Sequence, residues 1–206
     1  MNLENLNRQK ELIQRLSEMN VSQDSAKKIS ETNDPTIIDE CWNFIIDGDM
    51  NPQMEVGKKE IEGFIDTLIY ATENKENWDK IVLLEKLRTY YGTKKNFHIE
   101  NEEFLSILNN SKNISNFEEI MVKKFEEKKR EKINECVNNG YSDEQIDFFD
   151  KLTPRFIDMV ISKMKQGMTF NEILNAYNKI TFDKMSQLIV FKQELDKYSI
   201  PQSKSR

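Results

Sequence analysis

Two stretches of the chain, NNGYSDEQI at 138–146 and KQGMTFNEI at 165–173, share one pattern. Gly140 and Gly167 stand where a helix that is ending needs a residue with left-handed backbone. Tyr141 with Ile146, and Met168 with Ile173, take the two places of a hydrophobic staple around a new helix start. Between them, Ser142 with Gln145 and Thr169 with Glu172 have the spacing of a capping box, a hydroxyl followed three residues later by Gln or Glu. The pattern therefore stops one helix and restarts another within three residues. A chain that uses it twice is being folded into short antiparallel helices. The capping argument leaves Asp143 and Glu144 unexplained, which makes them the candidate binding residues of this segment.

The second half of each unit follows the same logic. Thr153–Pro154 reads as an N-cap followed by proline at the first helical position, where the missing N–H is not needed. Thr181 is placed to cap in the next copy. A looser copy lies near the N-terminus, with Asn20 in the glycine place, Val21 as staple, Ser22 as cap and Asp34–Pro35 matching Thr153–Pro154. Asparagine is the residue that tolerates the left-handed region best after glycine, although Ser25 occupies the place of the glutamate.

Apolar spacing fills in the rest. Ile37, Ile38, Cys41, Trp42, Ile45 and Ile46 form one helical stripe, and Ile61, Phe64, Ile65, Leu68 and Ile69 another. A third runs from Trp78 to Tyr91. The stretch GTKKNFHIEN is expected to be a loop, with Phe104, Leu105 and Leu108 on a short helix after it. Ser115 with Glu118 has capping-box spacing and is expected to launch a long helix. Residues 126–132 of that helix are all charged, so it reads as a strut solvated on most sides. The expected organisation is an N-terminal three-helix unit at 1–52, a middle helical region at 53–112, a charged connecting helix at 113–140, helical hairpins at 141–198 and a tail at 199–206. The fold class is all-α: a helical body joined by the long charged helix to stacked helical hairpins.

Composition agrees. The chain holds only six glycines and four prolines in 206 residues, and its charged share of 32% is high against 37% apolar. Few breakers, with abundant Glu, Lys, Leu and Ile, favour helix over strand. A net charge of −6 from 36 acids and 30 bases argues against a dedicated nucleic-acid binder, which needs a basic face. The local exception is TKKNFH at 93–98, where Lys94 and Lys95 follow the pair Tyr90–Tyr91 and form the candidate nucleic-acid contact. The N-terminus is polar and amphipathic rather than a secretory signal, and no apolar run has the length to cross a bilayer. A cytoplasmic protein with no membrane partner is expected.

Motifs that carry chemistry are sparse. Cys41 and Cys136 lack CxxC spacing and fall on apolar helical positions, as buried thiols do. His98 is the sole histidine, and no nucleophile or orienting carboxylate accompanies it in a recognisable pattern. The stretch DGDMNPQMEVGK at 47–58 begins like a calcium-binding EF-hand loop, but Pro52 holds the glycine place and Lys58 the place of the bidentate glutamate. It is expected to be a helix-ending acidic loop. No phosphate-cradling glycine loop is present. No catalytic residue, cofactor or metal site is assigned.

Two resemblances go further. The stretch from Lys132 to Leu195, with GYSDEQIDFF and QGMTFNEILNAY, resembles tandem helical repeats found in proteins of mobile elements from low-GC Gram-positive bacteria. That likeness implies repeat architecture and a phage or plasmid setting. The first 40 or so residues resemble a ubiquitin-associated domain. Met19-Asn20-Val21, Ala26 and Cys41-Trp42-Asn43-Phe44-Ile45 hold the places of that family's motif, with Asn20 for its glycine and Val21 for its aromatic. The resemblance implies ubiquitin contact through Met19, Asn20 and Val21. Taken together, the expectation is a non-enzymatic adaptor or inhibitor that binds a protein, such as a host defence nuclease. A nucleic-acid-associated regulator and a ubiquitin-binding module are the alternatives.

Overall fold

A computed structural model describes residues 3–50 and 56–179, together with Phe191 and Leu195. Thr181, placed by the sequence to cap in the second copy, lies outside the described residues. Ten α-helices and one 3-10 turn are present among them, and no strand. In chain order they are α1 (Leu3–Glu18), α2 (Gln23–Glu31), α3 (Pro35–Met50), α4 (Lys58–Asn74), α5 (Lys80–Lys94), the 3-10 turn (Lys95–Phe97), α6 (Asn101–Asn110), α7 (Ile114–Asn138), α8 (Asp143–Phe149), α9 (Pro154–Lys165) and α10 (Phe170–Asn178). None of them is long and apolar enough to cross a membrane.

The left-handed backbone positions organise the chain. Among the described residues four have positive φ: Asn20 at 55°, His98 at 54°, Gly140 at 79° and Gly167 at 101°. Each ends a helix with the same pair of bonds. The left-handed residue's N–H donates to the carbonyl three residues back, and the next N–H to the carbonyl five back from itself. Val21 N donates to Leu16 O at 2.9 Å, Ile99 N to Lys94 O at 3.1 Å, Tyr141 N to Cys136 O at 3.3 Å and Met168 N to Lys163 O at 3.1 Å. After each joint comes a short helix, respectively α2, α6, α8 and α10.

The expected capping boxes at Ser142–Gln145 and Thr169–Glu172 both form, with each hydroxyl accepting from the backbone and each longer side chain reaching back. At Ser22 half of the box is local, since Ser22 Oγ accepts from Ser25 N at 3.3 Å. Glu62 of α4 supplies the other half, its carboxylate accepting from Ser22 N at 2.7 Å. A missing local partner is thus replaced across the packing interface.

Four sequence expectations are corrected. GTKKNFHIEN is not a loop: α5 continues through Lys94 into the 3-10 turn, and His98 makes the fourth joint. Helix α7 starts not at Ser115 but after Asn113, whose side chain accepts from Asn116 N at 2.8 Å. Glu118 is held instead by Lys86 at 2.7 Å and Tyr90 at 3.3 Å. Thr153 stands at the N-cap of α9 with Pro154 after it, but its hydroxyl makes no cap bond. Finally, α3 does not end at Asp47; it runs to Met50, with Arg88 drawn onto Asp47 and Arg15 onto Asp49.

Two apolar cores result. The first runs from Leu12 to Met121 and unites α1–α6 with the first turns of α7. Rings link its helices in sequence: Phe44 stacks on Phe64 at 4.1 Å, Phe64 meets Tyr91 at 5.3 Å, Tyr91 meets Phe104 at 5.5 Å and Phe104 meets Phe117 at 5.7 Å. The second gathers Cys136, Phe148, Phe149, Phe156, Ile157, Val160, Ile173 and their neighbours. Both cysteines are buried, one in each core, and burial pushes both thiols up from the ordinary value.

Helix α7 belongs to both cores, and its charged middle is a brace rather than a bare strut. Phe125 tucks between Phe97 at 4.5 Å and Tyr90 at 6.0 Å. Lys124 reaches Glu103 at 2.9 Å, and Lys132 reaches Asp158 of α9 at 2.5 Å. Lys129 Nζ donates to Asp150 O at 2.9 Å and also to Leu152 O, satisfying carbonyls at the end of α8. Lysine stems lie along the apolar surface while their heads find acceptors at its rim, so a charged run can still be packed on one side.

Candidate functional site

The two cores meet where α9 packs against the 3-10 turn. A cleft of about 290 Å³ opens beside this seam, lined by Phe44, Glu60, Tyr91, Gly92, Lys94, Lys95, His98, Ile99, Glu100 and Arg155. Besides the Tyr91 hydroxyl, six of these side chains carry ionisable heads. They arrive from α4, from the end of α5, from the joint at His98 and from the first turn of α9.

The joint explains why the lysines separate. Helix α5 tightens into the 3-10 turn at Lys95, so Lys94 and Lys95 leave the backbone in different directions. Lys94 is only 8% exposed. Its ammonium lies 4.5 Å from the centre of the Tyr91 ring and donates to Ile99 O at 3.4 Å. Burial holds it below the ordinary lysine range, because the charged form loses water it does not fully replace. Lys95 instead pairs with Glu60 at 3.0 Å. Burial would raise the Glu60 carboxyl, but Lys95 and backbone groups at Glu60 and Gly57 outweigh it and hold the group below its usual range.

Tyr91 forms the inner wall. It is 3% exposed, and burial raises its hydroxyl well above the ordinary phenol value despite a bond with Asn101. That hydroxyl passes so close to α4 that a Cβ at Gly63 would lie 2.2 Å from it and 2.4 Å from the Asn101 amide nitrogen. Glycine at 63 is therefore a packing requirement of the wall. At the rim, His98 Nε2 lies 2.6 Å from Asp158 Oδ2. Lys132, on the other oxygen of Asp158, is pulled down by burial, yet Asp158 and Glu135 outweigh this and leave it raised.

The candidates read from sequence fare differently. Lys94 and Lys95 both line the cleft, but Lys94 is buried and not a surface contact, and Lys95 is paired. Asp143 and Glu144 are exposed on the first turn of α8, and neither makes an ion pair among the described residues. Met19 and Val21 pack against the first core, and Asn20 is the left-handed residue of a joint, so the three serve helix-end structure. The bases of α7 do not gather as a free face, since Lys123, Lys124, Lys128 and Lys132 all hold carboxylates. Glu60 and Arg155 are the charged cleft residues from distant elements that sequence reasoning missed. They lie far from Lys94 along the chain and no local motif marks them. His98 was noticed only as a lone histidine, and its joint carries neither glycine nor hydroxyl.

No group of three or more His, Cys, Asp or Glu side chains among the described residues is arranged to hold a metal ion. Compared with known proteins, the chain matches no family profile, no curated protein and no solved structure.

Proposed function

We propose that this chain is a helical-repeat adaptor or inhibitor that acts by binding another protein and catalyses no reaction. The observation that carries the reading is the state of Asp143 and Glu144. Gly140, Tyr141, Ser142, Gln145 and Ile146 of that echo are used by the fold, as joint, staple or capping box, whereas these two carboxylates are exposed and make no ion pair among the described residues. Exposed acids on a rigid helical scaffold suit a basic protein surface, because fixed charge complementarity speeds encounter and rejects wrong partners. The likeness of residues 132–195 to repeats of mobile-element proteins adds a setting, with a host protein such as a defence nuclease as target.

The experiment is affinity capture from a bacterial lysate using the wild type and a D143K/E144K variant side by side, with bound material identified by mass spectrometry. One protein retained by the wild type and lost with the charge reversal is the expected result. Equal retention by both, or recovery of nucleic acid in place of protein, would sink the reading.

A further inference from the structure

We propose that the seam cleft is a binding site for a small organic oxyanion, a carboxylate or phosphate monoester with an apolar body, and that Lys94 is its buried counter-charge. Burying an ammonium is unfavourable unless a carboxylate or several acceptors replace its water. Lys129 shows how this chain meets that need: its partly buried head is bonded to two carbonyls. Lys132 meets it with two carboxylates. Lys94 is more buried than most lysines in the protein, yet its contacts are one carbonyl at 3.4 Å and the face of the Tyr91 ring. Among the described residues no carboxylate lies within ion-pair distance of it. Glu60, the acid best placed to serve, is engaged by Lys95 instead.

The surroundings define the ligand. Lys94, Lys95, His98 and Arg155 line one cleft, against the carboxylates of Glu60 and Glu100. An oxyanion seated over Lys94 would supply the missing partner, and the charge-assisted bonds it formed would be shielded from water on the inner side. Phe44, Tyr91 and Ile99 give the cleft apolar walls, and a volume of about 290 Å³ holds a ligand of one ring and one charged group rather than a polymer. This site is remote in function from Asp143 and Glu144, so it stands or falls independently of the adaptor reading.

The test is titration of the uniformly 15N-labelled full chain with phenyl phosphate, benzoate and inorganic phosphate, with phenol as the neutral control. Saturable shifts at the amides of Gly92, Lys94, Lys95 and Ile99 with phenyl phosphate or benzoate, and none with phenol, are expected. Which of the two binds tighter tells a phosphate site from a carboxylate site. In Lys94→Met, which keeps the volume and removes the charge, affinity is expected to fall about ten-fold or more, the scale of one charge-assisted bond. The melting temperature without ligand is expected to hold or rise, since an under-satisfied buried charge has gone. If Lys94→Met fails to fold, Arg155→Gln on the rim is expected to weaken binding several-fold with the fold intact. Absence of saturable shifts at these amides with every probe, or undiminished affinity in whichever variant folds, would overturn the proposal.

Discussion

His98 Nε2 lies 2.6 Å from Asp158 Oδ2, joining two residues 60 positions apart and on opposite sides of the seam between the cores. The same histidine has φ of 54°, so its backbone ends one helix while its ring reaches the next unit. The two roles can be separated by mutation. Asparagine tolerates the left-handed region but is too short to span to Asp158. His98→Asn is therefore expected to keep the joint and lose the bridge. The pair is about half exposed, so a double-mutant cycle with Asp158→Asn should give a coupling of only about 0.2–1 kcal/mol, smaller in high salt. A coupling of several kcal/mol would mean that the seam, not the cores, controls stability.

The glycine joints make a different prediction. A Cβ at Gly140 would meet nothing within 4 Å, so the penalty of Gly140→Ala is conformational alone. Placing an L-residue in this region costs about 1–2 kcal/mol, and urea unfolding should show a loss of that size. At Asn20 the reverse change, Asn20→Gly, should be within a few tenths of a kcal/mol of neutral, because asparagine already accommodates the geometry. A large loss in that variant would contradict the equivalence of the joints.

How much of this was legible depends on where each signal sits. The joints at Gly140 and Gly167 are local: glycine, staple and capping box lie within seven residues, and they could be read directly. The joint at His98 has the same backbone but is stabilised by what surrounds it, namely Ile99 in the first core and Asp158 across the seam, so nothing in TKKNFHIEN announces it. The Ser22 cap shows an intermediate case, where the missing acid comes from Glu62, forty residues on. The all-α class follows from periodicity and few breakers, both local properties. The cleft does not, because Glu60, Lys94 and Arg155 are brought together only by packing of α4, α5 and α9.

Gly63 tests the inner wall of that cleft. In an ordinary helix Gly→Ala stabilises by up to about 1 kcal/mol. Here the added methyl would overlap the Tyr91 hydroxyl and the Asn101 amide, 2.2 and 2.4 Å away. Overpacking of this kind typically costs about 1–3 kcal/mol. Gly63→Ala is expected to lower stability despite the better propensity, and to increase near-ultraviolet dichroism changes from Tyr91. Pairing it with Tyr91→Phe, which removes the clashing oxygen, should recover part of the loss.

The Glu60–Lys95 pair gives a pH dependence with a defined sign. The Glu60 carboxyl is held below its ordinary range in the folded chain, so its charged form is favoured by folding. That contribution is fully present above the unfolded value of about 4.3 and is lost as pH falls through the lower folded value. Glu60→Gln removes it. Wild type and variant should therefore differ in urea midpoint at neutral pH, and the gap should close as the solution is acidified below pH about 4. A gap that stays constant into acid would show that the variant acts through packing rather than through the charge.

Gln9 carries a prediction for the first core, where a polar side chain is 7% exposed on the inward face of α1. Its amide nitrogen donates to Ile29 O at 2.7 Å, to Thr32 O at 2.9 Å and to Ser30 O at 3.3 Å. These are the carbonyls that α2 leaves open at its C-terminal end, so Gln9 caps a neighbouring helix from the side. Leucine is close in shape but cannot donate, and Gln9→Leu would leave those acceptors buried without their partner. The expected loss is about 1–3 kcal/mol, the desolvation penalty of an unmet acceptor. Glutamate should be worse than leucine, because its carboxylate would face three carbonyl oxygens at the negative end of the α2 dipole. If Gln9→Leu proves neutral in urea unfolding, water has access to the end of α2 and the cap contributes nothing. If Gln9→Glu is instead rescued at low pH, the loss was one of charge, since the protonated carboxyl can donate where the ionised one cannot.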